Sequence, residues 1–200
     1  MKKIINRLFD KNLPPILIAE ISANHNGSIK NAKKLIYTAK KNGADIVKLQ
    51  TYEPRNMTID SSKNDFLVKE GLWKGYKLWD LYKEAQTPLS WQKELFRYSK
   101  KIKMPCFSTP YDDEGIEVLK KLNAQMYKIS SFEMNDIFLV KKICKLKKPV
   151  IISTGLASIK EIRNVYNIAK KSGCKKIILL YCVSSYPAKN TDFNLNNIKI

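Results

Sequence analysis

The chain has one histidine, His25, and only four arginines, and none of its four cysteines forms a CxxC pair. A lone histidine with Cys106, Cys144, Cys174 and Cys182 dispersed along the chain argues against a structural zinc site. The cysteines are expected to be reduced, buried thiols, Cys106 and Cys182 lying in apolar runs. Acidic residues are also few, 18 against 37 Lys and Arg, for a formal net charge of +19. That excess invites a nucleic-acid reading, but base readers and phosphate clamps favour arginine clustered on one face. Here Arg7, Arg55, Arg97 and Arg163 are far apart, and the lysines are spread over most expected helices, as in Lys33, Lys34, Lys40, Lys41, Lys120, Lys121, Lys141 and Lys142. The expectation is a solvated lysine surface, no nucleic-acid partner, and a field that draws in anionic metabolites. Long apolar runs are missing too. No stretch approaches the ~18–20 apolar residues of a membrane span, and Ile16–Ala19 is too short for the core of a secretory leader. The reading is a cytoplasmic chain without a membrane partner, long enough at 200 residues for one domain with a sizeable core.

What is present is alternation. Strand-like apolar runs occur at Ile16–Ile21, Ile46–Leu49, Pro105–Ser108, Met126–Ile129, Val150–Ser153 and Ile177–Tyr181. Their near-continuous apolar character suits parallel strands covered on both faces. Between them, helical spacing puts Ala32, Leu35, Ile36 and Ala39 on one face, then Ile116, Leu119 and Leu122, then Ile159, Ile162, Tyr166 and Ala169. Ala39-Lys-Lys-Asn-Gly43 and Ala169-Lys-Lys-Ser-Gly173 share one design, lysine in a last helical turn and glycine just beyond, which is a helix stop. Repeated βα units of this kind build either a barrel or a doubly wound sheet.

The strand ends choose between them. Each expected strand runs into polar residues: Glu20-Ile-Ser-Ala-Asn-His-Asn-Gly27, Lys48-Leu-Gln-Thr51, Ser108-Thr-Pro110, Lys128-Ile-Ser-Ser-Phe-Glu133, Ser153-Thr-Gly155 and Ser184-Ser-Tyr-Pro187. A doubly wound sheet concentrates chemistry near one switch point. Polar groups on six successive strand ends fit a (β/α)8 TIM-type barrel, whose βα loops all face one mouth. Six βα units are visible, so residues 1–200 read as one barrel domain truncated after about six units. The segment 52–88, after the second strand, breaks the rhythm. It is long for a βα loop and aromatic, with Trp73, Tyr76, Trp79 and Tyr82. It reads as a lid or subunit contact, or as a layer packed on the barrel rim. Leu78, Leu81, Tyr82 and Ala85 are spaced for a short helix within it.

The strand-end groups have a common chemistry. Lys48 and Lys128, with hydroxyls from Thr109, Ser131, Ser153 and Ser184, suit a phosphate or carboxylate. Glu20 and Glu133 can move protons, and Gln50 and Tyr186 can hydrogen-bond a polyol. Any one serine at a strand end is ordinarily a turn or cap residue, and Asp136 and Ser158 are read as helix caps. Recurrence on six strands carries the argument for a site that takes an anionic, oxygen-rich substrate.

These motifs, in this order, resemble the sialic-acid-type (nonulosonic acid) synthase family. The resemblance rests on Glu20-Ile-Ser-Ala-Asn-His-Asn-Gly27, Lys48-Leu-Gln-Thr51, Cys106-Phe-Ser-Thr-Pro110, Tyr127-Lys-Ile-Ser-Ser-Phe-Glu133, Ile152-Ser-Thr-Gly155 and Ser184-Ser-Tyr-Pro187, and covers roughly Ile16 to Ile200. Within the family the chain is most similar to pseudaminic acid synthases, through Ile21-Ser-Ala-Asn-His-Asn, Gly71-Leu-Trp-Lys-Gly75 with Leu81-Tyr-Lys-Glu84, and Ser131-Phe-Glu133. N-acetylneuraminate synthases more often have glycine where this chain has Ser22 and Phe132; N-acetylneuraminate or legionaminic acid synthase stays open as the alternative.

The resemblance implies condensation of phosphoenolpyruvate with an open-chain amino sugar, a 2,4-diacetamido-trideoxyhexose, to give a nine-carbon acid and phosphate in surface-glycan biosynthesis. It implies that Lys48, Thr109, Ser131, Ser153 and Ser184 contact phosphoenolpyruvate, that Lys128 stabilises its carboxylate or the developing charge, that Glu20 and Glu133 handle water and protons, and that Gln50 and Tyr186 touch the sugar. Asn24 and His25 are read as substrate-contacting or loop-ordering. The family's divalent metal, manganese or magnesium, is held by two histidines on the last strands, which this sequence does not contain. The small antifreeze-like domain that completes the site in the homodimer is likewise not in it. The expectation for residues 1–200 alone is therefore little or no activity, with a truncated, non-catalytic remnant as the other reading.

Overall fold

The computed structural model describes every residue except Tyr186 and Ile200. The chain forms two compact units, residues 1–125 and 126–200. The first holds α1 (Lys2–Leu8), β1 (Ile18–Glu20), α2 (Ile29–Lys41), β2 (Ile46–Thr51), α3 (Leu78–Ala85), α4 (Leu89–Lys101), β3 (Cys106–Pro110) and α5 (Asp113–Lys121). The second holds β4 (Tyr127–Ile129), α6 (Ile137–Lys145), β5 (Val150–Ser153), α7 (Ile159–Lys171) and β6 (Ile177–Leu180).

In the first unit β2 pairs in parallel with both β1 and β3. In the second, β5 pairs in parallel with both β4 and β6. Parallel neighbours require a crossover, and each crossover here carries a helix. β2, the middle strand of its unit, is buried from Ile46 to Leu49, and the buried residues Ile21, Ala32, Ile36, Val47, Leu49, Leu95, Met104 and Cys106 form one core cluster. Each large apolar side chain fully buried in this way contributes roughly 1.5–3 kcal/mol of transfer free energy. In the second unit Val140, Ile143, Cys144, Val150, Ile152 and Ala169 are fully buried.

Local chemistry fixes the helix ends. Asp112, Asp136 and Ser158 accept from the amides of Gly115, Leu139 and Glu161, and Ser158 with Glu161 closes a capping box. Asp136 and Ser158 are thus caps, as the sequence suggests. Beyond α2 and α7, Gly43 (φ 88°) and Gly173 (φ 98°) take the left-handed conformation that the shared Lys-Lys-x-Gly stop requires. Two residues beyond Gly43, Asp45 accepts from Arg7 at 2.6 Å, and Arg7 also donates to the carbonyls of Pro14 and Pro15.

Two expectations need correction. The stripe of α7 is rotated: Val165 and Ala169 are buried, whereas Ile159 and Tyr166 are 44% and 39% exposed. The period is right, but the face is centred one residue away, on Val165. Cys106, Cys144 and Cys174 are buried as expected, but Cys182 is only half-buried, because it lies just beyond the end of β6. The segment 52–88 contains α3 where its spacing predicts it. It also contains a tight antiparallel contact in which Val68 and Tyr76, and Gly75 and Val68, are joined through the main chain.

Candidate active site

In the first unit the strand register sets the site. Glu20 lies beside Lys48, and Gln50 beside Thr109. Alternation along β2 puts Lys48 and Gln50 on one face, since they are two residues apart. Lys48 is 8% exposed, yet it is an ammonium group. A buried cation needs partners, and Lys48 has two: it forms an ion pair with Glu20 and donates to Thr109 Oγ1 at 3.4 Å. Thr109 is fully buried. Glu20 keeps 40% of its side chain exposed, and its other carboxylate oxygen accepts from the Ser22 amide at 3.0 Å. The strand ends thus present a cation that is partly neutralised by a solvent-facing carboxylate.

Gln50 is half-buried. Its Nε2 donates to Tyr111 Oη at 2.9 Å, and its main-chain carbonyl accepts from the fully buried Gln92 at 2.8 Å. Asn24 is exposed and donates its side-chain amide back to the Ile21 carbonyl at 3.1 Å. His25 is fully buried. Its Nδ1 accepts from the Gly27 amide at 3.2 Å, which leaves the proton on Nε2, and Nε2 donates to Thr87 Oγ1 at 3.2 Å. The ring stands edge-on to Trp91, 5.5 Å between centroids, and burial holds its pKa below 6.5. Both ring nitrogens are committed to the chain. His25 ties the β1–α2 loop to Thr87, at the far end of the insertion.

In the second unit Lys128 is aligned with Ile151 and Ser153 with Leu180. Lys128 and Ser153 therefore emerge on the same face, two register steps apart. Ser153 is 4% exposed. Ser131 Oγ accepts from the Gly155 amide at 3.1 Å. Gly155 has no side chain for a reason visible in its surroundings: a Cβ there would lie 2.3 Å from Ser184 Oγ and 3.0 Å from the Cys182 carbonyl. Ser131, Gly155 and Ser184 thus crowd into one hydroxyl-lined corner. Glu133 begins a short 3-10 turn, and burial pushes its carboxyl above the ordinary value of 4.5, opposed by the Lys128 charge. Its Oε2 is buried without a hydrogen-bond partner among the described residues. Tyr186 lies outside the described residues.

Each unit therefore gathers the strand-end groups that the sequence singles out. The structure also adds two residues that the sequence did not single out, Tyr111 and Gln92, and gives a role to Gly155, which the sequence offers only as part of a motif. Tyr111 and Gln92 hold Gln50 from outside β2, and Gly155 sets the approach of two serines. The signal for Tyr111 was its place directly after Thr109-Pro110, and for Gln92 a polar residue on the apolar side of α4. No group of three or more His, Cys, Asp and Glu stands together among the described residues. With His25 fully committed, the residues present do not fit a divalent metal centre. A groove of about 870 Å³ in the first unit, lined by Phe96, Arg97, Lys100 and Met104, lies at the other end of β3 from Thr109.

Comparison with known proteins decides the family. The profile of the NeuB family matches residues 35–200. The chain belongs to the NeuB family. It is 44% identical over 190 residues to the pseudaminic acid synthase of Campylobacter jejuni, covering 95% of this chain and 55% of that protein. To the Helicobacter pylori pseudaminic acid synthase it is 42% identical over 182 residues, covering 91% and 54%. This NeuB-family chain thus spans about half the length of the curated relatives it matches. Among solved structures, the N-acetylneuraminic acid synthetase of Leptospira borgpetersenii, determined with citrate, superposes with a TM-score of 0.82 at 30% identity, over 94% of this chain and 61% of that one. The α/β class and the barrel-type fold expected from the strand ends are therefore those of a sialic-acid-type synthase.

Proposed function

We propose that this chain provides the N-terminal barrel part of a synthase that condenses phosphoenolpyruvate with the open-chain form of a 2,4-diacetamido-trideoxyhexose, yielding pseudaminic acid and phosphate for surface-glycan biosynthesis. Identity of 42–44% to two pseudaminic acid synthases supports the choice of product. The observation that carries the reading is Lys48: a buried ammonium at a strand end, shared between a solvent-exposed carboxylate and a buried threonine hydroxyl.

In the first unit, an incoming phosphate or carboxylate competes with Glu20 for Lys48. Thr109 remains as a fixed hydroxyl beside it. Once released, Glu20 is free to order water or carry a proton. Asn24 and Gln50 offer amide groups to the sugar, and His25 acts by ordering the loop that presents Asn24. In the second unit, Ser131, Ser153 and Ser184 offer hydroxyls to the oxygen-rich ester, and Lys128 stabilises a carboxylate or developing oxyanion. Glu133, held toward its neutral form, serves as a second proton carrier. In the reaction, C3 of phosphoenolpyruvate attacks the sugar aldehyde, whose oxygen takes a proton. Water adds at C2, the C2–O bond to phosphate breaks, and the keto acid is left. The family's metal, manganese or magnesium, would polarise the aldehyde; its ligands are not among these residues, and no step above depends on it. The reading includes a cytoplasmic homodimer as the working form of the whole enzyme.

The test is phosphate release from phosphoenolpyruvate with a panel of acetamido aldoses and manganese, with the product identified by mass. It is run on residues 1–200 and on the same residues extended through any coding sequence that follows them. Turnover is expected with the diacetamido sugar and the extended form, and not with residues 1–200 alone. Preference for N-acetylmannosamine or for the legionaminic precursor would reassign the product. Turnover only with phosphorylated arabinose or erythrose would refute the reading.

A further inference from the structure

A cluster of tyrosines joins Gln50 to the long insertion. Gln50 Nε2 donates to Tyr111 Oη at 2.9 Å. The Tyr111 ring stands edge-on to buried Tyr52 at 5.3 Å and 76°. Tyr52 in turn stands edge-on to Tyr82 and donates to its carbonyl at 3.2 Å. Gln92 holds the Gln50 main chain at the same time. A carboxamide is planar, so fixing its nitrogen also fixes where its oxygen points. Among the described residues, Gln50 Oε1 accepts no hydrogen bond.

We propose that Tyr111 is a positioning residue that sets Gln50 as a hydrogen-bond acceptor, and that the group it accepts is the N–H of an acetamido substituent on the sugar. A hydroxyl both donates and accepts and would be served by either orientation of Gln50. A donor-only N–H is served by one, the orientation found here, in which the Gln50 amide hydrogen is engaged on the Tyr111 phenol and Oε1 is left to accept. The inference rests on the proposed contact between Gln50 and the sugar.

The experiment uses the form of the protein that turns over in the assay above, with the acetamido aldose varied at saturating phosphoenolpyruvate. Tyr111→Phe keeps the ring against Tyr52 and removes only the hydroxyl. It should raise the aldose KM about five- to tenfold, the effect of misplacing one neutral hydrogen bond, and leave kcat and the phosphoenolpyruvate KM within about twofold. Gln50→Leu should give the same rise, and the double variant no more than either alone. The penalty for replacing the acetamido group of the aldose by hydrogen should shrink in Tyr111→Phe by the same factor. Tyr52→Phe removes a hydroxyl from the same cluster without touching Gln50, and should leave the aldose KM unchanged. An unaltered aldose KM in Tyr111→Phe, or an equal rise in Tyr52→Phe, overturns the role of Tyr111 while leaving the synthase reading intact. A wild-type protein that releases no phosphate with any acetamido aldose overturns the synthase reading, and the sugar contact of Gln50 with it.

Discussion

Removing the two partners of the Glu20–Lys48 pair should have unequal effects, because their burial is unequal. The Lys48 side chain is 10% exposed and that of Glu20 is 40% exposed. Glu20→Gln leaves a nearly buried ammonium with only Thr109 Oγ1, at 3.4 Å, as an acceptor. Breaking a fully buried pair costs about 3–5 kcal/mol and an exposed one about 0–1, so a pair with one buried member should cost roughly 1–3 kcal/mol. For a chain of this size that is a fall in Tm of roughly 3–9 °C. Lys48→Met keeps the apolar stem and leaves a carboxylate that still reaches water and still accepts from Ser22; its cost should stay under about 1 kcal/mol. Added phosphate or phosphoenolpyruvate should then raise the Tm of Glu20→Gln more than that of wild type, since the anion meets no resident carboxylate. It should do nothing for Lys48→Met. Calorimetry with and without 10-fold steps in anion concentration reads all three. The reasoning fails if Lys48→Met is the more destabilised variant, or if Glu20→Gln melts with wild type and gains nothing from the anion.

Three further outcomes are expected. His25 has its pKa lowered by burial below 6.5; the unfolded chain therefore binds the proton more readily. Its contribution to stability should be complete above pH 6.5 and be lost as pH falls below that value, and urea melts of wild type and His25→Gln should converge toward acid. Glu133 has the opposite sign: its carboxyl is raised above 4.5 in the folded state, so stability should decline as pH rises through and above 4.5, and Glu133→Gln should flatten that decline in the same melts. Gly155→Ala places a methyl 2.3 Å from Ser184 Oγ and 3.0 Å from the Cys182 carbonyl; it should cost about 1–3 kcal/mol by overpacking and weaken phosphoenolpyruvate binding measured by titration. Unchanged binding would remove Ser184 and Ser131 from the site.

What was legible in the sequence follows from the range of the forces involved. The strands were visible because continuous apolar runs are a local signal, and Val150–Ser153 matches to the residue. The strand-end groups were visible because a βα unit exposes whatever follows its strand. Lys48, Thr109 and Glu20 could be named without knowing that Lys48 would spend its charge on Glu20. That pairing depends on the register of β1 against β2, which no stretch of the chain encodes by itself. His25 illustrates the same limit. Its setting in Asn24-His-Asn-Gly27 marks a loop-ordering or substrate-contacting residue, but not that Thr87 and Trp91, more than sixty residues on, enclose it. The face of α7 was misjudged for a related reason. Tyr166 and Ile159 are as apolar as Val165, so composition fits two overlapping stripes, and only the packing of α7 beside α6 selects between them.

The residues whose roles escaped the sequence have a feature in common: they act on a site residue and not on a ligand. Gln92 fixes a carbonyl, Tyr111 an amide, and Gly155 a distance between hydroxyls. A motif names the groups that face the substrate, because their chemistry has to suit it. A positioning group need only suit its neighbour, and a buried glutamine or a tyrosine meets that need in many sequences that share nothing else. The groups that hold Lys48 and Gln50 in place therefore emerge from coordinates first, and the chemistry of the site from sequence first. On the proposed reading the pocket has to keep a cation buried before its ligand arrives, and Glu20 and Thr109 are the groups that hold Lys48 there.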